Sequence, residues 1–322
     1  MTLDQLGFCD RESEKAGSFA AAALHGLSKV QKILPCEFFY DARGSSLFEA
    51  ITREPEYYPT RTEAAILAGS ANEIARDTAH GSVLVEFGSG SSVKTEILLL
   101  ALRDLAAYVP IDVSPSALES ARARLVHRFP GLFVYCVMGD FRAELVLPAN
   151  IENKTRLGFF PGSTIGNFTP LEAARLLRAF ALNLGPRGRL IIGVDLRKDV
   201  SRLVAAYNDA AGVTAAFNLN LLTRANRELG ADFNLAAFEH EAIFNTRMSR
   251  IEMHLVSTRR QSVSLLGRRF DFRPGETIHT ENSHKYSVRE FQDLARGAGW
   301  TPRRVWTDPE DLFSVHELAA KA

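Results

Sequence analysis

A glycine-rich turn between an apolar strand and a long helix is the feature that most constrains the fold of this chain. The run Ser82 to Val85 predicts a buried strand, and Glu86-Phe-Gly-Ser-Gly90 follows it directly. The leucine-rich stretch Lys94 to Ala107 predicts the helix that comes next. Glycines in such a turn let the backbone approach a ligand closely, at the N-terminus of the helix. The pattern therefore predicts an α/β sheet with a ligand site at one edge.

The alternation of strands and helices continues to about residue 196. Further strands are predicted at Tyr108 to Asp112, Leu132 to Met138, Leu157 to Phe160 and Gly188 to Asp195, and further helices at Ser116 to His127 and Pro170 to Leu184. Strands that alternate with helices form a mainly parallel sheet covered on both faces.

The C-terminal end adds a helix and a hairpin. Ser287 can cap a helix that runs to Gly297, and two strands are predicted on either side of the turn at Asp308-Pro309, Trp300 to Trp306 and Phe313 to Leu318. This ending resembles the class I methyltransferases, in which a reversed seventh strand inserts beside the sixth. The resemblance implies a Rossmann-like α/β core with a seven-stranded, mostly parallel sheet.

Two regions do not fit this core. Residues 1–60 are expected to be helical and loop-rich, and residues 199–286 begin with an alanine-rich helix and continue into short strands, such as Arg250 to Thr258 and Ser262 to Leu265. We expect them to form a second, smaller α+β domain that binds the substrate. The cofactor-binding core is then residues 61–198 and 287–322.

Composition excludes several classes of protein. The 38 basic and 38 acidic residues cancel, so no nucleic-acid or membrane partner is indicated. Cys9, Cys36 and Cys136 are scattered and no His-Glu-x-x-His occurs, so neither disulfides nor a metal site is expected. His240, between two glutamates, is expected to be a surface histidine. No secretory signal is apparent before Lys15. We expect a cytoplasmic, monomeric enzyme that acts on a small molecule.

The residues after the turn narrow the choice of cofactor. A dinucleotide site requires a third glycine at position 93, which is valine, so a cofactor without a pyrophosphate, such as S-adenosylmethionine, is favoured. Lys94 is either a solvated charge or a partner for the carboxylate of that cofactor. Asp112 ends the second strand and either binds ribose hydroxyls or caps the next helix. Asp140 and Phe141 end the third strand, where they can contact adenine or form a turn.

A polar amide follows the fourth strand. Asn167 ends the segment Ser163-Thr-Ile-Gly-Asn167, and its side chain offers both a donor and an acceptor without a charge. In amine methyltransferases this position carries polar groups that hold the nucleophilic nitrogen or its neighbours. The alternative is an Asx-type turn before Pro170.

Long motifs resemble one family, the histidine-specific Nα-methyltransferases of ergothioneine biosynthesis. The matching segments are Phe38–Asp41, Pro55–Glu63, Glu86–Thr95, Gly139–Phe141, Gly162–Asn167, Ala206–Asn218, Ala231–Phe233, Arg250–Met253 and Glu281–Tyr286. The resemblance implies conversion of L-histidine to its trimethylated betaine, hercynine, with three molecules of S-adenosylmethionine. It covers the chain from about residue 35 to the end.

The resemblance also implies the residues of the site. The cofactor would be bound by Gly88, Ser89, Gly90, Lys94, Asp112, Asp140 and Phe141. The amino acid would be bound by Tyr40, Tyr57, Asn167, Tyr207, Met253, Glu281 and Ser283. Glu281 and Ser283 would hydrogen-bond the imidazole. No side chain is expected to act as a strong base, because proximity and orientation can lower a barrier by roughly 7–11 kcal/mol.

Three other functions compete with this one. A methyltransferase for tryptophan or phenylalanine would be expected to lack the acid at Glu281. A nicotinamide-dependent dehydrogenase is disfavoured by Val93 and by the absence of a catalytic His–Asp arrangement. A catalytically silent cofactor-binding protein is disfavoured by Asn167 and the tyrosines.

Overall fold

The computed structural model describes residues 19–89 and 93–321. Gly90, which was expected to bind the cofactor, lies outside the described residues, as does the side chain of Val93. The chain divides into two compact units. The first comprises the described residues up to Tyr57 together with Asp199–Ser283, and the second comprises Tyr58–Lys198 together with His284 onwards. The boundaries expected from the sequence were at residues 60, 198 and 286.

The second unit is built on a seven-stranded sheet. In chain order its strands are β2 (Val83–Phe87), β3 (Ala107–Asp112), β4 (Val137–Met138), β5 (Arg156–Phe160), β6 (Arg189–Asp195), β12 (Trp300–Thr307) and β13 (Phe313–Ala320). Across the sheet the order is β12-β13-β6-β5-β2-β3-β4. Only β13 runs against its neighbours, β6 and β12. The predicted mostly parallel sheet with a reversed last strand is confirmed.

Helices cover both faces of this sheet, because successive strand residues point to opposite sides. On one face Val83, Val85 and Phe87 of β2 pack with α6 (Pro170–Leu184) and α9 (Val288–Gly297). On the other face Leu84 packs with α3 (Tyr58–Arg76), α4 (Val93–Ala101) and α5 (Pro115–Arg128). Strands buried on both faces read as continuous apolar runs, as the sequence does here.

Helix starts in this unit follow local capping chemistry. Thr169 and Glu172 form a capping box at the start of α6, and Ser287 and Glu290 form another at the start of α9. The sequence overestimated two elements. The helix after the glycine turn ends at Ala101 rather than Ala107, which belongs to β3. The third predicted strand keeps only Val137–Met138, preceded by an isolated bridge between Val134 and Tyr108.

The first unit is an α+β fold. Its four-stranded sheet has the order β1-β11-β8-β7, formed by Lys32–Ile33, Thr277–His284, Arg250–Ser257 and Phe238–Asn245. A separate hairpin joins β9 (Gln261–Leu265) to β10 (Arg268–Phe272).

The helical part of the first unit begins with residues 19–27, which form α1. It continues with α2 (Ala42–Ile51), α7 (Val200–Ala205) and α8 (Val213–Leu229), of which α8 packs on α2 and on the sheet. The expected alanine-rich helix after residue 199 is thus two helices. Within the described part of the chain, no helix combines the length and apolar character needed to cross a membrane.

Candidate functional site

The carboxyl ends of the parallel strands in the second unit collect the predicted cofactor residues at one edge. Gly88 follows β2 with φ +75°, and its N–H donates to the Ile111 carbonyl at 2.8 Å. A Cβ at Gly88 would lie 3.4 Å from Cε1 of Phe141, so the turn after β2 and the residue after β4 are neighbours. Ligands of open α/β sheets bind at this edge.

Glu86, near the end of β2, places a buried carboxyl group next to the glycine turn. Glu86 ends up fully enclosed, where Thr95 Oγ1 donates to its carboxylate at 2.7 Å and Tyr108 also donates. Burial raises the pKa of Glu86 to about 7, although both hydroxyl donors lower it. Ser89, in the turn itself, is buried. The carboxyl therefore links β2, β3 and the first turn of α4 around the predicted cofactor turn.

Two acids at the same edge have different surroundings. Asp112 is half-buried, and its Oδ1 accepts from the Ser114 N–H at 2.8 Å, so it does cap the following turn. Asp140 accepts from Arg142 with both oxygens, at 2.9 and 2.8 Å. Burial raises the pKa of Asp140, but the hydrogen bonds from Arg142 outweigh it and hold the pKa below its usual value. Phe141 lies edge-on to Phe160, with 5.6 Å between ring centroids.

Asn167 follows the next strand of the same edge. It ends a short 3-10 helix, Thr164–Asn167, and is half-buried. The turn before it is fixed at three points: Glu63 accepts from the Gly162 N–H, Ser163 Oγ accepts from the Asp195 N–H at 2.9 Å, and Thr164 donates to the Pro161 carbonyl. Ser163 adopts φ 55°, a conformation that non-glycine residues rarely take.

A buried charge network closes this edge at the end of β6. Asp195 accepts from Tyr58 at 2.8 Å, from Lys285 at 2.6 Å and from Lys198. Burial lowers the pKa of Lys198 to about 8 despite the charge of Asp195. Burial raises the pKa of Asp195, but the positive charges of Lys285 and Lys198 outweigh burial and hold the pKa below its usual value. The network holds the residue whose N–H anchors Ser163.

The first unit gathers most of the predicted amino-acid residues. Tyr207 donates from its hydroxyl to Ser283 Oγ at 2.7 Å, and its ring lies edge-on to Tyr57 with 6.3 Å between centroids. Glu281 and Ser283 stand two residues apart on β11, so their side chains leave the same face of the strand. Met253 is fully enclosed in β8, and its carbonyl accepts from Thr280.

Tyr40 belongs to the same group. Although the residue as a whole is 44% exposed, desolvation acts on its hydroxyl. That desolvation, followed by the negative charge of Glu281, raises the pKa of Tyr40 well above its usual value. Tyr40 is held in place by Asp41, which caps α2 by accepting from Gly44 N–H at 2.7 Å and also accepts from Asn220 at 2.9 Å.

Three contributors to these clusters were not predicted. Phe48 lies between Tyr40 and Tyr57, with centroid distances of 5.7 and 6.2 Å. Phe217 lies 5.8 Å from Tyr40. Glu63 is fully enclosed and pairs with Lys94. Phe217 and Glu63 each lie inside a motif quoted for the family, which was the available signal.

His240 corrects one expectation. It is half-buried rather than a surface residue, with Nε2 2.8 Å from the Tyr207 carbonyl and Nδ1 2.9 Å from the Asn218 amide nitrogen. The amide must donate to Nδ1, so the neutral ring carries its proton on Nε2 and donates to the carbonyl. Desolvation lowers the pKa of His240, consistent with this neutral form. The ring thereby fixes the backbone of Tyr207.

One cluster of metal-ligating types exists among the described residues of the first unit. Donor atoms of Glu252, His254 and His279 lie within 4.8 Å of one another. Glu252 is already paired with Arg250, Nε to Oε1 at 2.7 Å, and with Asn245, and the two imidazoles are stacked at 4.7 Å. The adjacent guanidinium opposes a cation, so we assign these residues to a hydrogen-bonded cluster. Sequence spacing gave no sign of it, because the ligands come from two strands.

One cavity of the second unit lies elsewhere. It measures about 460 Å³ and is lined by residues 75–80 and 101–105, which precede β2 and β3. It therefore opens at the amino ends of the strands, opposite the edge that carries Gly88 and Asn167, and it is not the candidate site.

Known proteins resemble this chain along nearly its whole length. The family model described as "Histidine-specific methyltransferase, SAM-dependent" matches residues 19–320. A protein named "Histidine N-alpha-methyltransferase" from Mycolicibacterium smegmatis is 46% identical over 310 residues, 93% of this chain and 96% of that protein. "Ergothioneine biosynthesis protein 1" of Neurospora crassa is 34% identical over 298 residues, 89% of this chain and 33% of that protein.

A solved structure shows the fold independently. An S-adenosylmethionine-dependent methyltransferase from Clostridium acetobutylicum superposes with a TM-score of 0.50 at 10% identity, covering 86% of this chain and 99% of that one. The sheet order, the glycine turn and these matches agree. The chain belongs to the S-adenosylmethionine-dependent, histidine-specific methyltransferases.

Proposed function

We propose that this chain transfers methyl groups from S-adenosylmethionine to the α-amine of L-histidine, three times, to give hercynine in the ergothioneine pathway. The observation that carries the substrate assignment is in the first unit. The side chains of Glu281 and Ser283 leave the same face of β11. Ser283 accepts a hydrogen bond from Tyr207, and the charge of Glu281, after desolvation, raises the pKa of Tyr40. A carboxylate and a hydroxyl at this spacing suit the two nitrogens of an imidazole.

The cofactor residues fit a sulfonium nucleoside. The positive φ of Gly88 and its missing Cβ leave backbone open to a ligand beside Phe141. Asp112 is half-buried at the strand end where a ribose would be held, and Lys94 offers a cation for a carboxylate. When bound, S-adenosylmethionine supplies an electrophilic methyl group on sulfur. Asp140 is less free than expected, because Arg142 occupies both of its oxygens.

The side chains of this chain orient the amine and surround its growing charge. Asn167 would hold the nitrogen or the carboxylate of the amino acid, since its amide can donate and accept. Tyr40, Tyr57 and Tyr207 would face the methylated cation, each cation–π contact being worth about 0.5–2 kcal/mol. In each transfer the ammonium would first lose one proton to solvent, the nitrogen would bond to the methyl carbon, and the S–C bond of the cofactor would break to leave S-adenosylhomocysteine. Alignment of the lone pair with the methyl carbon lowers the remaining barrier to transfer.

Several finer points are part of the proposal. We propose that the enzyme acts in the cytoplasm as a monomer, on free amino acid, without a metal and without nucleic-acid or membrane partners. The rival substrate within the same chemistry is tryptophan or phenylalanine. Glu281 argues most directly against phenylalanine, because its ring offers no N–H to a half-buried carboxylate.

The test is direct. The purified protein is incubated with S-adenosylmethionine and a panel of free amino acids, with and without a chelator, and products are resolved by mass spectrometry. We expect histidine to gain three methyl groups and its mono- and dimethylated forms to be consumed. Preferential methylation of tryptophan would contradict the histidine assignment. Loss of activity with the chelator would contradict the metal-free mechanism.

A further inference from the structure

One buried carboxylate of the second unit connects the two motifs that serve the proposed ligands. Glu63 lies in α3 with no exposed surface. Its two oxygens both accept from the Gly162 N–H, at 3.0 and 2.8 Å, and Oε2 also pairs with Lys94. The residues that it joins are far apart in sequence but adjacent here. A buried charge that satisfies two partners at once is costly to remove and fixes both.

The fold keeps space for this carboxylate. At Gly193, in the middle of β6, an added Cβ would lie 1.9 Å from Glu63 Oε1 and 2.8 Å from its Cδ. Any other residue at position 193 would therefore displace the glutamate. Gly162 has φ +84°, and an added Cβ there would lie 3.6 Å from the Lys94 ammonium. Gly193 thus leaves room for the glutamate, and Gly162 supplies the positive φ that its turn requires.

The two partners of Glu63 belong to the sites proposed for different ligands, Lys94 to that of the cofactor and Gly162 to that of the amino acid. Lys94 lies in the first turn of α4, directly after the glycine turn, and its side chain is 17% exposed, so it is not wholly enclosed by the pairing with Glu63. Gly162 begins the turn that ends at Asn167. The Ser163 hydroxyl ties that turn to β6 independently. Glu63 is a direct connection between the cofactor side and the amine side of this sheet edge.

We propose that Glu63 is a positioning residue that couples binding of the cofactor to binding of the amino acid; this rests on the proposed function. A cofactor carboxylate on Lys94 holds the ammonium between two negative groups. Glu63 is then held more firmly where it accepts from Gly162, and the Asn167 turn is further stabilised before the amino acid arrives. A second ligand that meets an ordered turn loses less conformational entropy, which is positive cooperativity.

The experiment measures that coupling by calorimetry. The Kd of L-histidine is determined with and without saturating S-adenosylhomocysteine, for the native protein and for Glu63→Gln. We expect the product cofactor to tighten histidine binding about 5-fold or more in the native protein, at the lower end of typical allosteric coupling. In Glu63→Gln the ratio should fall below about 2-fold, because the amide keeps an acceptor for Gly162 but loses the charge that holds Lys94.

A matched control separates coupling from stability. Glu317 of β13 is equally enclosed in the same unit and pairs with Arg189 at 3.0 Å. Glu317→Gln should lower Tm yet keep the native coupling ratio. Glu63→Asp, which keeps the charge but is too short to reach both partners, should lose coupling as well and serves if the glutamine variant does not fold.

The outcomes distinguish the two proposals. A native protein that methylates histidine but shows no coupling, or variants of Glu63 that retain the native ratio, would overturn the role of Glu63 alone. A native protein that neither binds nor methylates histidine would overturn the proposed function and this inference with it. Loss of coupling in Glu317→Gln would show that the ratio reports stability, and would also overturn the inference.

Discussion

Carboxylates of the same type differ in this chain according to what surrounds them. Asp140 is saturated by Arg142, Glu63 by a backbone N–H and Lys94, and Glu86 by two hydroxyls. Glu281 is half-buried, and desolvation followed by the charge of Glu281 raises the pKa of Tyr40. A phenol kept protonated beside a carboxylate remains a donor, so the pair presents both kinds of hydrogen-bonding group to a ligand.

Selectivity is the prediction that belongs to the residue scale. Glu281→Ala should reduce kcat/KM for histidine by on the order of 2–4 kcal/mol, because an imidazole N–H loses a charged acceptor. The difference in kcat/KM between histidine and phenylalanine or tryptophan should become smaller. The measurement is kcat/KM for the three amino acids with both proteins. Glu241→Ala, an exposed acid on β7, is the control and should change none of them. An equal loss for all three substrates would assign Glu281 to the fold.

At the scale of elements, β13 shows how burial on both faces determines side-chain chemistry. This strand lies between β6 and β12, and His316 at its centre is fully enclosed against Phe291, with Ser314 Oγ 2.9 Å from Nε2. Desolvation lowers the pKa of His316 to about 3. An imidazole in a strand of this kind is therefore a neutral packing residue.

The low pKa of His316 predicts that the fold loses stability in acid. The unfolded chain binds a proton at His316 below about pH 6.5, whereas the folded chain does not until about pH 3, so stability is present above pH 6.5 and falls as pH decreases through that window. At pH 5 the free energy of unfolding is therefore about 2 kcal/mol lower than at neutral pH. His316→Gln should flatten the slope of unfolding free energy against pH in urea titrations from pH 7 to 5. His127→Gln, an exposed histidine, should keep the native slope; an unchanged slope in His316→Gln would contradict the prediction.

For the molecule as a whole, ligand binding and stability are linked. S-adenosylhomocysteine at 100 times its Kd should stabilise the fold by about 2.7 kcal/mol, a Tm increase of roughly 5–10 °C for a unit of this size. Asp112→Ala should weaken binding by on the order of 1.5–3 kcal/mol and remove most of the shift at the same ligand concentration. Thermal unfolding with and without ligand measures both.

Asn167→Ala is the matched variant for that experiment. It lies at the same sheet edge but is assigned to the amino acid, so it should keep the native Tm shift with S-adenosylhomocysteine while turnover falls strongly. A variant that loses the shift would place Asn167 with the cofactor. An unchanged shift in Asp112→Ala would remove that carboxylate from the cofactor site.

The local patterns of the sequence were sufficient for the core. Apolar runs, leucine periodicity and the capping residue Ser287 predicted the parallel strands and their helices, because these signals depend on neighbours a few residues apart. The reversed last strand was implied by the resemblance to the class I methyltransferases. The glycine turn predicted where a ligand approaches, since the conformation of Gly88 is a local property. The motifs around Tyr57, Asn167 and Glu281 indicated the family.

The tertiary structure alone decided which distant groups meet. Glu63 contacts Gly162 across 99 residues of chain, and His254 stacks on His279 from another strand. His240 is half-buried because the backbone of Tyr207 crosses it. These pairings depend on strand order and on space left by residues such as Gly193, and no periodicity within the sequence encodes either of them. The sequence determined the elements and the chemistry available to them, and the path of the chain determined which of those groups act together.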